Sequence, residues 1–164
     1  MTPDPKSSLA HRVTLRPVVL PDDQDFLRDL YFTTRNDVEG VFPNEELKRS
    51  FLQMQHEAQI RGYAEQFPRA SHDIIELDRT SVGRLMVDRQ PDFIRCVDIS
   101  ILPRSRDVGI GTHLLNGLLR ECSDGGVPCL LKVFVNSRAV ALYERLGFRA
   151  EGDDGLRISM RWTA

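Results

Sequence analysis

The chain has 164 residues, of which 41% are hydrophobic, so it is long enough for one compact domain with a buried core. Its formal net charge is −2 and it has no basic run, which argues against general nucleic-acid binding. No apolar stretch reaches the ~18 residues that a membrane-spanning helix needs. We therefore predict a protein whose partners are neither nucleic acids nor membranes.

The first residues and the cysteines bear on domain boundaries and compartment. Residues 1–10 are polar and proline-rich, so we expect no secretory leader, a flexible tail over residues 1–11 and a single domain over residues 12–164. Cysteines 96, 122 and 129 lie in apolar runs without CxxC spacing, and the histidines are scattered. We expect reduced core thiols in a cytoplasmic protein and no metal site.

The first half of the domain is predicted to contain a strand, two helices and two further strands. Alternating apolar residues and helical periodicity place the strand at 11–18, the helices at 22–34 and 44–67, and the further strands at 71–77 and 81–88. Asn44 is the predicted N-cap of the second helix. Its apolar stripe is expected to consist of Leu47, Phe51, Met54 and Ala58.

A strand, a glycine-containing loop and a helix follow in the stretch from Ile101 to Leu119. The run CVDISIL predicts a buried strand at 94–102, which Pro103 ends because proline has no N–H to give. Beyond the loop, one helix face carries Ile110, Leu114, Leu115, Leu118 and Leu119. The free N–H groups and dipole of a helix start favour an anion. We therefore predict a phosphate or pyrophosphate site in the loop.

The loop residues decide between phosphate-binding motifs. Gly109 and Gly111 let the backbone approach a phosphate closely, and Arg104 and Arg106 can donate charge-assisted hydrogen bonds. A dinucleotide fingerprint would need a third glycine where Leu114 stands, and a Walker A loop would need a lysine after a glycine. A nicotinamide-dependent enzyme is therefore disfavoured. The remaining pattern, Arg106-x-x-Gly109-x-Gly111, resembles the acyl-CoA-binding motif of the Gcn5-related N-acetyltransferases (GNAT).

A second stretch resembles another signature block of the same family. The run CLLKVFV predicts a strand at 129–135, Asn136 is the predicted N-cap of a helix at 137–146, and Gly147 ends that helix. The matching pattern is Asn136-x-x-Ala139-x-x-Leu142-Tyr143-x-x-x-Gly147-Phe148. The resemblance covers about residues 82–152, and a last strand is predicted near 156–162.

The resemblance implies the acyl-CoA N-acyltransferase fold. This is an α/β (α+β) fold with a mixed central sheet and helices on both faces, in the order β-α-α-β-β-β-α-β-α-β. In the family, two central parallel strands splay apart and the pantetheine arm of acetyl-CoA enters the gap. The residues implied to bind acetyl-CoA are Ile101, Leu102, Arg104, Arg106, Val108, Gly109, Ile110, Gly111, Thr112, Asn136 and Tyr143.

Two residues are predicted to be catalytic. The resemblance makes Tyr143 the general acid, because a phenol with a pKa of about 10 can protonate the departing thiolate; the alternative is a tyrosine that only packs in the core. Asp98 is the predicted general base, although it can equally be a strand carboxylate paired with an arginine. The other bases left open are His56, Glu57, His72, Glu76 and a chain of water molecules.

Asp107 is a departure from the family pattern, since many members have glycine directly after the first arginine or glutamine. A carboxylate near a pyrophosphate is repulsive, unless it points outward or pairs with Arg104 or Arg106. The resemblance implies an acetyl-CoA-dependent N-acetyltransferase that acts on a primary amine, with small amines favoured over proteins. The alternative is a non-catalytic acyl-CoA-binding module, and a homodimer would be ordinary for the family.

Overall fold

The computed structural model of the protein describes the backbone of residues 5–164 and the side chains of residues 9–164. Within these residues there are five α-helices: α1 Pro5–Arg12, α2 Gln24–Thr33, α3 Glu45–Gln66, α4 Ile110–Gly125 and α5 Ala139–Arg145. The strands are β1 Val13–Pro17, β2 Ser71–Leu77, β3 Thr80–Arg89, β4 Ile94–Ile101, β5 Cys129–Phe134, β6 Arg149–Asp153 and β7 Arg157–Trp162. None of the described helices is long and apolar enough to span a membrane.

The strands form one mixed sheet in the order β1-β2-β3-β4-β5-β7-β6. Neighbouring strands are antiparallel except β4 and β5, which are parallel. The predicted mixed sheet is therefore confirmed. Compared with the predicted order of elements, the chain has one more helix, α1, and one more strand, β6. Every residue of β6 is exposed, so this edge strand lacks the alternating apolar pattern by which strands are predicted.

The two faces of β3 and β4 pack against different helices. Because side chains alternate along a strand, Leu85 and Ile99 lie on one face, and Arg84 and Asp98 lie on the other. The face with Leu85 joins the apolar side chains of α4 and α5 in the main core. The opposite face lies under α3, where Arg84 donates to the side chain of Gln59. The predicted placement of helices on both faces of the sheet is therefore confirmed.

The buried side of α3 differs from the predicted apolar stripe. Asn44 caps the helix as predicted, since its side chain accepts a hydrogen bond from the amide of Leu47. The stripe itself is wrong, because Leu47 and Met54 are about half exposed and Ala58 is exposed too. Leu52 and His56 are the buried residues of the helix. The pattern of apolar residues did not indicate the buried side of α3, because that side also carries polar side chains, which contact the charged face of the sheet.

The N-terminal segment corrects another expectation. Residues 5–11 belong to helix α1 and are not an unstructured tail, and residues 1–4 of the predicted tail lie outside the described residues. Leu9 packs against the main core, and Arg12 forms an ion pair with Asp78, with 2.6 Å between Nη2 and Oδ2. These contacts are made with residues distant in sequence, so local composition did not indicate them.

Candidate functional site

A gap opens between β4 and β5. The two strands pair only from Ile94–Cys96 of β4 to Cys129–Leu131 of β5, although both continue beyond this point. Just there, β4 carries a bulge, because Met86 lies opposite Asp98 while the next residue of β3 lies opposite Cys96. A bulge bends a strand and increases its twist. We call the opening between residues 98–101 and residues 132–134 the strand gap.

The loop after β4 presents a helix start beside this gap. Gly109 is the N-cap of α4 and has a φ of +93°, which a side chain rarely tolerates. The first amide bonded within the helix is that of His113, to the carbonyl of Gly109, so the amides of Ile110, Gly111 and Thr112 precede the helical ladder. Ile110 is buried and anchors this turn in the core. The geometry therefore provides three N–H groups and a helix dipole for an anion.

Two arginines from different segments lie near this loop, Arg106 within it and Arg138 in the turn before α5. Arg106 donates from Nε to the carbonyl oxygen of Ile101 over 2.7 Å. Burial and the positive charge of Arg138 lower the pKa of Arg106 from its usual value, and Asp107 opposes this effect. Two guanidinium groups next to a helix N-terminus repel each other unless an anion lies between them. The residues present therefore fit a phosphate or pyrophosphate group.

Asp107 points outward and pairs with an arginine that the sequence did not indicate. Its side chain is 83% exposed and lies 3.3 Å from Nη2 of Arg138, in the turn before α5. Neither Arg104 nor Arg106 is its ion-pair partner within residues 9–164. The pair connects the loop after β4 with the turn after β5. The expected repulsion of a pyrophosphate is therefore reduced by distance, solvent and Arg138.

The other predicted CoA-binding residues differ in accessibility. Arg104 and Val108 are exposed on the loop. Both backbone groups of Leu102 are bonded inside the protein, since its amide donates to Val82 and its carbonyl accepts from Ser105. The carbonyl of Ile101 already accepts from an arginine. Contacts of Ile101 and Leu102 with a pantetheine arm stay predictions, and they would add to or replace these internal bonds.

Asn136 is not the cap of α5. It is exposed in the turn after β5, and α5 begins three residues later, at Ala139. The N-cap is Arg138, and the hydroxyl of Ser137 accepts a hydrogen bond from the amide of Ala139 over 3.1 Å. The predicted cap is therefore wrong. The Asn136 side chain has no capping bond to hold it, and its contact with acetyl-CoA stays a prediction.

Tyr143 is buried on α5, within the main core. Its ring packs edge-on against Phe148, with 5.7 Å between ring centroids. Burial raises the pKa of its hydroxyl well above the usual value, with smaller contributions from Cys96, Asp98 and Cys129. Cys96 and Cys129 belong to the short paired segments of β4 and β5, and they lie in the same core cluster as Tyr143. The structure therefore shows a core tyrosine, and the contact of its hydroxyl with acetyl-CoA at the gap stays a prediction.

Asp98 is the centre of a polar network on the face under α3. Its Oδ2 lies 2.5 Å from Nη2 of Arg84 and accepts a 3.3 Å hydrogen bond from the hydroxyl of Tyr63. Its Oδ1 accepts a 2.6 Å hydrogen bond from Ser100. The side chains of Arg84 and Asp98 are only 6% and 14% exposed, respectively. The structure therefore shows the arginine-paired carboxylate that was the alternative to a general base.

The other possible bases lie in less suitable places. Glu57 is exposed on α3, and Glu76 pairs with Arg16 over 2.8 Å. The Nε2 atoms of His56 and His72 are buried and have no hydrogen-bond partner within residues 9–164. Burial and the charge of Arg84 lower the pKa of His72 to about 4, and the same causes lower that of His56.

Sequence reasoning missed Arg84 and Arg138. A signal for Arg84 was present, because it is the one arginine within the run SVGRLMVD, and a charge in a buried strand needs a partner. Arg138 lies within the second family-like block, but nothing local points from it to Asp107. The sequence separation of that pair is 31 residues.

Comparisons with known proteins agree with this geometry. The family model "Acetyltransferase (GNAT) family" matches residues 27–148. Among solved structures, the chain is similar to the PaiA N-acetyltransferase of Thermoplasma acidophilum in complex with coenzyme A. The TM-score is 0.69 and the identity 18%, over 93% of this chain and 99% of that one. No curated protein matches.

Two further structures show the same fold. Naa50 of Arabidopsis thaliana, in complex with the bisubstrate analogue CoA-Ac-MVNAL, has a TM-score of 0.62 and 17% identity, over 93% of this chain and 99% of that one. An acetyltransferase from Thermus thermophilus has a TM-score of 0.62 and 21% identity, over 92% and 95% of the two chains. The family match covers well over half of the sequence, and the strand gap and helix start lie where the family-like motifs predicted them. The chain belongs to the GNAT family of acetyltransferases.

Proposed function

We propose that the protein is an acetyl-CoA-dependent N-acetyltransferase that transfers the acetyl group to a small primary amine. The observation that carries the proposal is the strand gap, with the helix start and the amides of Ile110–Thr112 beside it. An extended arm lying in the gap would have its phosphates at the helix start. We further propose that the protein is cytoplasmic and that residues 12–164 form a single domain.

Acetyl-CoA would supply the activated acetyl group as a thioester. The helix start and Arg106 would hold the pyrophosphate, and Arg138 adds a second guanidinium nearby. Holding donor and acceptor together lowers the entropic cost of the reaction. The amine nitrogen then forms a bond to the thioester carbonyl carbon, the carbon–sulfur bond breaks, and the sulfur takes up a proton.

Tyr143 is the proposed source of that proton. A phenol is protonated at neutral pH, and burial, which raises the pKa of Tyr143, keeps it protonated, so its hydroxyl is available as a proton donor for the thiolate. The acceptor amine must also lose a proton, and Asp98 or water would take it. The ion pair with Arg84 gives Asp98 a structural role as well, so its substitution alone does not identify the base.

Substitution of Tyr143 tests the catalytic part of the proposal. Tyr143→Phe removes the hydroxyl and keeps the ring that packs on Phe148, so we expect kcat to fall by about 10²–10⁴-fold while Tm and CoA affinity stay close to the parent values. Tyr143→Ala is the comparison that opens a cavity and lowers stability as well. A near-normal kcat in Tyr143→Phe, with chemistry rate-limiting, would leave Tyr143 as a core residue only.

A matched pair of glycine variants tests the phosphate site. Gly111→Asp adds a carboxylate in the first turn of α4, whereas Gly117→Asp adds the same group further along the helix. We expect calorimetry to show CoA binding in the parent and in Gly117→Asp, and little in Gly111→Asp. Equal binding in the two folded variants would place the phosphates elsewhere.

The non-catalytic acyl-CoA-binding module is the alternative. Asp107, the departure from the family motif, gives little reason to favour this module, because its carboxylate is exposed and paired with Arg138. CoA binding without turnover of acetyl-CoA, over a panel of primary amines, would support the module and contradict the proposed enzyme.

A further inference from the structure

The sheet presents an open, basic face next to the strand gap. On β5, Cys129, Leu131 and Val133 are buried, whereas Lys132 and Phe134 on the opposite side are exposed. The same alternation continues on β7, because Arg157 and Arg161 are exposed and Met160 between them is buried. We call the surface formed by Lys132, Phe134, Arg157 and Arg161 the open face.

Positive charge on the open face is only partly compensated. Arg161 forms an ion pair with Glu151. Neither Lys132 nor Arg157 has an ion-pair partner within residues 9–164. Lys132 acts weakly on Asp154, whose pKa is lowered mainly by hydrogen bonds from backbone amides in the turn before β7. The open face therefore keeps an excess of positive charge.

Arg157 is held in a defined position. Its guanidinium lies 4.9 Å from the centroid of the Phe134 ring, and the two residues are directly opposite each other in the β5–β7 register. Phe134 is 51% exposed, so the pair is accessible to a ligand. A guanidinium that lies over an aromatic ring keeps its N–H donors directed outward, in a fork that matches carboxylate and phosphate groups.

The open face forms one wall of the strand gap. Lys132 and Phe134 follow directly after Leu131, the last residue of β5 that pairs with β4. On the other wall lies Tyr63, whose hydroxyl is bonded to Asp98. Asp98 and residues 132–134 lie in the two unpaired segments of β4 and β5, on either side of the gap. The two walls therefore face each other across the gap.

The charges of the two walls differ. Asp98 is neutralised by Arg84 at 2.5 Å, so the wall under α3 carries little net charge. Lys132 and Arg157 contribute positive charge beside the gap, and neither has an ion-pair partner within residues 9–164. An acceptor with a second positive group would be repelled there, whereas an acceptor with an anionic group would be attracted.

Resting on the proposed function, we propose that the acceptor is a small primary amine that also carries a carboxylate or phosphate group. Its amine would lie at the strand gap, and its anionic group would bind Arg157 and Lys132. A hydrogen bond to a charged group changes binding by about 10- to 100-fold. We therefore expect anionic amines to have higher kcat/KM values than matched neutral amines by about that factor.

Two matched pairs of acceptors test this preference. O-phosphoethanolamine is compared with ethanolamine, and β-alanine with β-alaninamide, at saturating acetyl-CoA. For each pair, the kcat/KM of the anionic amine is divided by that of its neutral partner, and the larger ratio shows whether phosphate or carboxylate is the preferred anion. Arg157→Gln should reduce the ratio about 10-fold or more, through KM of the anionic amine. Arg69→Gln removes an exposed arginine before β2, away from the open face, and should leave the ratio unchanged.

A binding measurement separates this proposal from the proposed enzymatic activity. The Nε–H resonance of Arg157 is followed by NMR while O-phosphoethanolamine, β-alanine or ethanolamine is added to the CoA complex. A saturable shift with an anionic amine supports the site, and it does so even if no amine is acetylated, which would refute the transferase instead. Equal kcat/KM for charged and neutral amines, or no saturable shift with either anionic amine, would overturn the inference.

Discussion

The buried ion pair between Arg84 and Asp98 leads to the most informative prediction. The two side chains are only 6% and 14% exposed, and 2.5 Å separates Nη2 from Oδ2. Asp98→Asn removes the negative charge and leaves a guanidinium buried without its counter-ion. Breaking a buried pair in this way costs about 3–5 kcal/mol. For a domain of this size, we expect Tm to fall by about 6–20 °C.

Removing both charges should restore stability. In the double variant Arg84→Met with Asp98→Asn, no charge is buried, and Tyr63 and Ser100 keep a polar partner at position 98. Replacing a whole buried pair is often neutral, so we expect the free energy of unfolding to return to within about 1 kcal/mol of the parent. Urea and thermal denaturation of the parent, both single variants and the double variant complete the cycle.

A surface ion pair provides the control. Arg89 and Glu121 are also 2.5 Å apart, but their side chains are 47% and 42% exposed. Glu121→Gln should cost less than about 1 kcal/mol, because water solvates the remaining guanidinium. Equal losses in Glu121→Gln and Asp98→Asn, or additive losses in the double variant, would refute the reasoning from burial.

The same variants decide the role of Asp98 in catalysis. If Asp98 mainly neutralises Arg84, kcat should recover in the double variant together with stability, and this is the outcome we expect. A stable double variant whose kcat stays about 10²–10⁴-fold low would instead identify Asp98 as the general base.

Three further predictions concern other features of the fold. A β-carbon at Gly83 would lie 2.2 Å from a backbone oxygen of β4, so Gly83→Ala should lower the free energy of unfolding by about 1–3 kcal/mol or more in urea denaturation. Gly62 in α3 has open space around it, so Gly62→Ala should raise the free energy of unfolding by about 0.5–1 kcal/mol. The folded-state pKa of His72 is about 4, below the usual 6.5, so the unfolded state binds more protons between these two values. The free energy of unfolding should therefore decrease as the pH is lowered from 6.5 to 4. Denaturation at several pH values should show a smaller decrease in His72→Gln. Asp107→Asn should change CoA affinity by less than about fivefold in calorimetry at low salt, because the carboxylate is exposed and paired with Arg138; a larger gain would mean that it faces the pyrophosphate.

Several parts of the fold were predictable because their causes are local. Strand β2 has the predicted bounds, and β3, β4 and β5 differ from theirs by one residue at most at each end, since apolar runs between turn residues leave few alternatives. Of the five residues predicted for the apolar face of α4, Ile110, Leu115, Leu118 and Leu119 are buried. The loop with Gly109 precedes the helix start as its motif implied. These features depend on residues within one turn or one strand of each other.

The tertiary structure alone decided which polar residues meet. The bulge opposite Met86 sets the register in which Asp98 reaches Arg84, and no local pattern fixes a bulge. The pair of Asp107 and Arg138 exists because the loops after two parallel strands lie at the same edge of the sheet. The sequence by itself thus determined most of the strands and helices and the glycine loop before α4, through periodicity and backbone freedom. The ion pairs, the strand gap and the open face arise from strand register, which depends on contacts between segments far apart in the chain.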